Sequence, residues 1–145
     1  MKQRLSILIA LPLALAAVVT SPAIAGGSGT LVTTAHTALG TVLVGPDGHT
    51  LYLFTADKGT KSACTSAACI KFWPWLKTSA APRAGGSAKK SDLGGSSAKQ
   101  VTYKGHALYY FADDIKAGQT NGQGLATFGG TWWAVSPSGS AVTKK

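Results

Sequence analysis

Two tyrosine–aspartate pairs recur at one spacing and are the first candidates for chemistry. Tyr52 precedes Asp57, and Tyr109 precedes Asp114, by the same five positions. Two carboxylates that converge in a cleft can act as general acid and general base, so a hydrolase using both Asp residues is one hypothesis. The structural alternative is that each Asp caps a turn while each buried Tyr hydroxyl finds a polar partner. The residues favour the structural role.

His49 and His106 occupy equivalent places, each three residues before a repeated tyrosine. If the two imidazoles converged, they could hold a metal or a haem iron. Two histidines alone bind a metal weakly, so a Tyr or Asp of the repeat would have to complete the coordination. The sequence has no tight cluster of such ligands. We therefore predict that the two histidines do not converge and that the protein binds no cofactor.

Cys64 and Cys69 are the two cysteines of the chain. A close pair in an exported protein is typical of a disulfide, which would pin the loop that leads to Trp73. A redox-active pair is the alternative, but such pairs normally have Cys-x-x-Cys spacing at a helix start. The sequence also lacks a Gly-x-Ser-x-Gly elbow and a phosphate-binding glycine loop that opens a helix. We predict a structural disulfide and no enzymatic activity.

The tyrosines, aspartates and histidines all lie in a ten-residue segment that occurs twice. Residues 48–57 recur as residues 105–114, with six of the ten positions identical. A repeat of this length indicates a fold built from two similar units. A turn precedes each copy: residues 46–48 supply Pro, Asp and Gly, and residues 104–105 supply a tighter Lys-Gly turn.

Each repeated strand is largely apolar on both faces. Side chains alternate across a strand, so Tyr52 shares a face with Phe54, and Tyr109 shares a face with Phe111. Strands that are covered on both sides are typical of a sandwich or a closed sheet, and helical periodicity is nearly absent. We predict an all-β, single-domain fold in which two repeats of short antiparallel strands, related by a pseudo-twofold axis, form a small sandwich or barrel-like structure.

The repeats continue into a tryptophan-rich strand in each half, at residues 70–76 and 131–135. The segment between the halves is rich in Ala, Gly, Ser and Lys, which is typical of a flexible linker. The predicted organisation is a signal peptide at 1–25, a flexible tail at 26–38 with a possible edge strand at 31–34, and a two-repeat domain at 39–137 (first repeat 40–78, linker 79–98, second repeat 99–137), followed by a C-terminal tail at 138–145.

Residues 1–25 have the features of an export signal. Lys2 and Arg4 precede an apolar run, and residues 23–25 fit the small-x-small cleavage rule. We expect cleavage near Ala25, no transmembrane segment after processing and no lipid anchor, because no cysteine lies near the cut. The expected location is periplasmic or secreted.

The processed chain is strongly basic. Without Lys2 and Arg4, 12 of the 14 Lys and Arg residues remain against 5 Asp, a net charge of +7. This balance favours anionic envelope components, or another envelope protein, as partners. The basic residues are too dispersed to indicate a specific nucleic-acid site. The sequence does not set the oligomeric state.

The chain resembles a bacterial envelope family of predicted secreted proteins and lipoproteins with a repeated Tyr-x-(Phe/Trp/Tyr)-x-x-Asp motif. Residues 52–57 and 109–114 both fit this motif, and the flanking segments, the cysteine loop and residues 129–132 are also similar. The chain departs from the family in lacking the lipobox cysteine and in having Trp75 where a second proline is common. Because the family has no assigned reaction, the resemblance implies location and architecture.

These observations predict an exported, non-enzymatic envelope protein with a binding or structural role. The alternative is a metal- or haem-binding envelope module in redox or stress physiology that uses His49 and His106.

Overall fold

The computed structural model describes residues 29–95 and 99–144. The predicted signal peptide lies outside the described residues. Within them the chain forms short strands, one α-helix and one 3₁₀ turn. The elements are β1 (Leu31–Thr37), β2 (Gly40–Val44), β3 (Tyr52–Phe54), α1 (Ala67–Phe72), β4 (Arg83–Ala84), the 3₁₀ turn (Lys90–Asp92), β5 (Leu93–Gly95), β6 (Val101–Tyr103), β7 (His106–Ala107), β8 (Ala126–Thr127) and β9 (Gly130–Ala134).

The described strands form three small sheets, ordered β2-β1-β4, β3-β9-β8 and β5-β6-β7. Every pair of neighbouring strands is antiparallel except β1 and β4, which are parallel. The sheets do not close on themselves. The prediction of an all-β, single-domain fold made of two repeats is confirmed, with separate small sheets as its form.

The two predicted turns are present and differ in detail. Gly48, at a φ of +82°, donates its N–H to the carbonyl of Gly45 at 3.0 Å. In the second copy, Lys104 and Gly105 have φ values of 46° and 83°. Positive φ at both central residues defines a type I′ turn, whose twist suits a two-residue hairpin, and it joins β6 to β7.

One hydrogen-bond pattern occurs twice in the core and shows that the repeats exchange their closing strands. Val135 belongs to the second repeat but pairs with the first, whereas Leu76 belongs to the first repeat but pairs with the second. In the first copy Leu51 N–H donates to Leu43 at 2.9 Å and Leu43 N–H donates to Val135 at 2.7 Å; in the second, Leu108 donates to Val101 at 3.0 Å and Val101 to Leu76 at 2.7 Å.

The repeated strands are covered on both sides, as predicted. Tyr52 and Phe54 belong to one buried cluster together with Trp73 and Trp132. Leu51 and Leu53, on the opposite face, enter a second buried cluster. The alternation along the strand therefore places aromatic rings in one layer of the core and aliphatic side chains in the other.

Three segments predicted as tail or linker contain elements that pair with the rest of the fold. The predicted flexible tail at 26–38 includes β1, which lies between β2 and β4 rather than at an edge. The predicted linker at 79–98 contains β4, the 3₁₀ turn and β5. The predicted C-terminal tail returns to the sheet, because Val142 N–H donates to the carbonyl of Ala134 at 2.8 Å. Polar or small side chains do not prevent a segment from pairing by its backbone.

The first predicted tryptophan strand begins instead as a helix. α1 covers Ala67–Phe72, and the Ser66 side chain accepts a hydrogen bond from the backbone N–H of Cys69 at 3.2 Å. This is an N-cap, which satisfies one of the free amides at a helix start. The extended segment starts only after Trp73, where Trp75 bridges to Tyr109.

Candidate functional site

The two repeats meet at their tyrosines. Tyr52 N–H donates to the carbonyl of Tyr109 at 2.8 Å, and Tyr109 N–H donates to the carbonyl of Tyr52 at 3.0 Å. Both residues are fully buried. A reciprocal backbone pair of this kind places the local pseudo-twofold axis between the two tyrosines.

Each tyrosine hydroxyl binds the aspartate of the other repeat. Tyr52 Oη donates to Asp114 Oδ2 at 2.6 Å, and Tyr109 Oη donates to Asp57 Oδ2 at 2.8 Å. The motif spacing within one repeat therefore serves contacts between repeats. The residue types were predictable from the sequence, whereas their partners were not.

The second oxygen of each carboxylate caps the loop that follows it. Asp57 Oδ1 accepts a hydrogen bond from Ala63 N–H at 2.8 Å, and Asp114 Oδ1 accepts one from Asn121 N–H at 2.8 Å. Both oxygens of both carboxylates thus have partners, in two separate networks. No hydrogen bond joins Asp57 to Asp114 among the described residues, and this arrangement is that of a turn-capping pair.

Burial dominates the electrostatics of these networks. It raises the pKa of Asp57 and of Asp114 above the ordinary value, although their hydrogen bonds act in the opposite direction. Burial, together with the neighbouring carboxylate, also raises the pKa of Tyr52 and of Tyr109. The phenols therefore stay protonated and act as donors at neutral pH.

A stack of four aromatic rings crosses the axis beside the tyrosines. Trp73 and Trp132 are parallel within 3°, with ring centroids 3.9 Å apart. Phe54 stacks on the outer face of Trp132 at 3.9 Å, and Phe111 covers the outer face of Trp73 at 4.4 Å. Each phenylalanine thus packs on the tryptophan of the other repeat, which follows from the strand exchange.

The histidines lie at the edges of this centre. His49 Nδ1 is 2.8 Å from Asp47 Oδ2, and its ring meets Tyr110 edge-on at 6.4 Å. His106 lies in β7, opposite Tyr103 of β6. The described residues contain no group of three or more His, Cys, Asp or Glu placed to hold a metal ion. The arrangement gives the metal- or haem-binding alternative no support.

Cys64 and Cys69 form the predicted disulfide, with Cα atoms 5.5 Å apart. The bond closes the loop that α1 occupies, and both cysteines are buried. The indole Nε1 of Trp75 donates to the carbonyl of Cys64 at 3.0 Å. The disulfide therefore fixes the approach of the chain to the tryptophan stack, which is a structural role.

Two surface clefts lie outside the central network. The first, which we call the basic cleft, consists of two adjoining depressions with volumes of about 470 and 510 Å³. Both depressions are lined by Thr78, Ser79 and Lys99. Lys90 lines only the first depression, and Lys77 lines only the second. The second, the aromatic cavity, has a volume of about 430 Å³ and is lined by Phe72, Trp73, Phe111, Asp113, Leu125, Thr127 and Phe128. Apart from Thr30, the basic cleft is built from residues 77–99, which include the predicted linker, and composition alone does not show that this segment folds around a depression. The aromatic cavity combines side chains from loops that are far apart in the chain, so the sequence does not indicate it.

The chain belongs to a family described as a secreted repeat of unknown function, which matches residues 33–77 and 89–136. The two matches correspond to the two halves of the fold, and the description supports an exported protein. Searches of the curated proteins and of the solved structures each found no match. Among the described residues, no helix has the length and apolar character needed to cross a membrane.

Proposed function

We propose that this protein is a non-enzymatic component of the cell envelope that binds an anionic envelope polymer through its basic cleft. The observation that carries the proposal is the convergence of Lys77, Lys90 and Lys99 on one cleft whose described lining residues include no carboxylate. The proposed location is the periplasm or the extracellular space, after cleavage near Ala25. The export features of the sequence and the secreted family support it.

The charges of the described surface are poorly neutralised, which favours a polyanion. Among the described residues, the one close contact between a basic and an acidic side chain joins His49 Nδ1 to Asp47 Oδ2 at 2.8 Å, and it involves no lysine or arginine. Asp57 and Asp114 are occupied by tyrosine hydroxyls, so these carboxylates are not available to the lysines. Exposed ammonium groups without carboxylate partners attract phosphate or carboxylate groups over about 8 Å at physiological ionic strength.

The proposal of a non-enzymatic role rests on the same carboxylates. A general acid–base pair needs groups within hydrogen-bond reach of a substrate. Asp57 and Asp114 instead cap their own loops, and each is hydrogen-bonded to a buried phenol. These contacts stabilise the junction between the repeats, which is sufficient reason for both carboxylates.

The test is a salt series of polyphosphate binding to the processed protein, followed by calorimetry. We expect the logarithm of the affinity to fall linearly with the logarithm of the salt concentration. Replacing the three cleft lysines, Lys77, Lys90 and Lys99, by Gln should reduce that slope by about two, given roughly 0.7 per contact on a flexible polyanion.

A matched control removes three charges elsewhere, by replacing Lys58, Lys61 and Lys116 with Gln. This control should lose much less affinity than the cleft variant. Equal losses in the two variants would show that only net charge matters and would overturn the cleft as the site. Absence of polyphosphate binding at low salt would overturn the proposal altogether.

A further inference from the structure

The aromatic cavity has the construction of a ligand site. Its floor consists of Trp73 and Phe111, both buried, with ring centroids 4.4 Å apart. Its walls include Phe72 and Phe128, which remain 43 % and 44 % exposed with ring centroids 6.3 Å apart. The volume of about 430 Å³ lies within the range of small-molecule sites, roughly 300–1,000 Å³.

Phe128 is held in this wall at a conformational cost. It occupies the turn between β8 and β9 with a φ of +56°, followed by Gly129 at +87°. Both central residues of this type I′ turn have positive φ, and Asn-Gly is the favoured pair there. A bulky aromatic residue in the left-handed region is an outlier, and such strain is concentrated at functional sites. The fold alone gives no reason for a phenylalanine here, because its ring is half exposed.

The lining defines the charge of the ligand. Four of the lining side chains are aromatic, and Asp113 is the one charged residue among them. Aromatic faces attract cations through the ring quadrupole, and aromatic cages of this type recognise alkylated ammonium groups. An exposed carboxylate at the rim adds a direct electrostatic attraction.

We infer that the aromatic cavity binds a small organic cation, an alkylated ammonium group with apolar substituents. The cationic head lies against the aromatic rings and the carboxylate of Asp113, and the apolar substituents cover Leu125 and the floor. The positive net charge of the chain opposes cation binding at long range, but screening limits that repulsion to about 8 Å, whereas the rings and the carboxylate act at contact. The cavity shares no lining residue with the basic cleft, so the inference is independent of the proposed function.

The experiment titrates the processed protein with benzyltrimethylammonium, followed by calorimetry and by NMR. Phe128→Asn removes one wall while placing a residue that accepts positive φ in the turn. This variant should bind about tenfold more weakly, a loss of about 1.4 kcal/mol, because it removes one of the aromatic faces that attract the cation, and it should keep its thermal stability. Asp113→Asn should weaken binding about fivefold, the size of the Coulomb attraction between two unit charges about 4 Å apart in water. Ile115→Ala, at an exposed apolar residue outside the cavity, is the matched control and should bind as the unchanged protein does.

A neutral analogue, in which carbon replaces the nitrogen, separates cation recognition from apolar burial. The neutral analogue should bind to the unchanged protein more weakly than the cation does. Its affinity for Asp113→Asn should equal its affinity for the unchanged protein. Equal binding of the two compounds to the unchanged protein would overturn the inferred ligand class. Undiminished binding in Phe128→Asn, or no binding of the cation at millimolar concentration, would overturn the site.

Discussion

The two loops that follow the repeated aspartates carry out one task by different means. In the first repeat, the loop after Asp57 is held by the Cys64–Cys69 disulfide and the six-residue helix α1. In the second repeat, the loop after Asp114 is held by backbone turns and by the hairpin of β8 and β9. Both loops return the chain to a tryptophan of the central stack.

What the two loops share is the cap. Each aspartate accepts an amide hydrogen bond from its own loop, from Ala63 or from Asn121, at 2.8 Å. Each aspartate also accepts the hydroxyl of the other repeat's tyrosine. The comparison teaches that the junction fixes the aspartate and the start of its loop, while the body of the loop is free to differ. The aromatic cavity is formed where the two unlike loops meet, because Phe72 comes from the first loop and Phe128 from the second.

The largest expected effect tests whether the two halves of the stack are equivalent. Phe54 is 2 % exposed and Phe111 is 9 % exposed. Phe54→Ala should lower the free energy of unfolding by about 3–5 kcal/mol. Phe111→Ala should cost less, toward about 3 kcal/mol, because Phe111 also borders the open cavity and water can fill part of the vacated space. Urea denaturation measures both values.

Phe54→Leu serves as the control, because it keeps apolar volume at the site and should cost less than Phe54→Ala. An unchanged midpoint in either alanine variant would show that the corresponding strand is not interior. A larger cost for Phe111→Ala than for Phe54→Ala would contradict the asymmetry between the two ends of the stack.

The repeat made the buried strands predictable from the sequence. Because the two repeats are similar, the sequence did not show which strand of one repeat pairs with the other. The alternation of Tyr52 and Phe54 with leucines indicates a strand that is buried on both faces, and the cysteine spacing indicates the disulfide. The exchange of closing strands cannot be predicted from the sequence, because Leu76 and Val135 are chemically similar and either could pair with either repeat. Which tyrosine binds which aspartate follows from that exchange and was equally hidden.

The strands and the helix that the sequence did not indicate are short segments whose local composition is ambiguous. β1 is rich in threonine, so composition does not separate it from a polar tail, and its backbone pairing with β2 decides its place. α1 is too short to show a helical period, and its formation depends on the Ser66 cap and on the disulfide. Phe128 gives no sequence signal, since a phenylalanine is not expected in a type I′ turn.

The next largest effect concerns the disulfide, which is present in the first loop and absent from the second. Replacing both cysteines by Ser should lower the free energy of unfolding by about 2 kcal/mol, the chain-entropy value for so short a loop. Amide exchange should accelerate around Cys64–Cys69 and remain slow at the hairpin of β8 and β9. The unchanged protein under reducing conditions provides the control and should show the same pattern. Faster exchange in both loops would contradict their independence.

The tyrosine hydroxyls should show a smaller and unequal effect. Tyr52→Phe leaves Oδ2 of the buried Asp114 without its donor and should cost about 1.5 kcal/mol. Tyr109→Phe should cost about 0.5 kcal/mol, because Asp57 is more exposed and water can replace the lost hydroxyl. Thermal denaturation near neutral pH measures both costs. Tyr103→Phe is a comparison for loss of a phenol with neutral partners, because the Tyr103 hydroxyl accepts from Lys89 N–H and donates to the carbonyl of Pro137. Equal costs would show that the two networks are equally shielded.

The smallest expected effect is the pH dependence that the two carboxyl groups contribute. Burial raises the pKa of Asp57 and of Asp114 in the folded protein above the ordinary value of 3.8. The folded state therefore binds more protons than the unfolded state just above that value. The contribution to stability is fully present below 3.8 and is lost as the pH rises through the folded pKa. A protonated carboxyl can still accept the tyrosine hydroxyl on its carbonyl oxygen, so protonation removes the cost of burying charge while keeping that bond. Replacing both residues by Asn, which does not titrate, should flatten the dependence of the melting temperature on pH across this window. If the double variant and the unchanged protein have the same slope, the carboxylates are better compensated by their hydrogen bonds than their burial indicates.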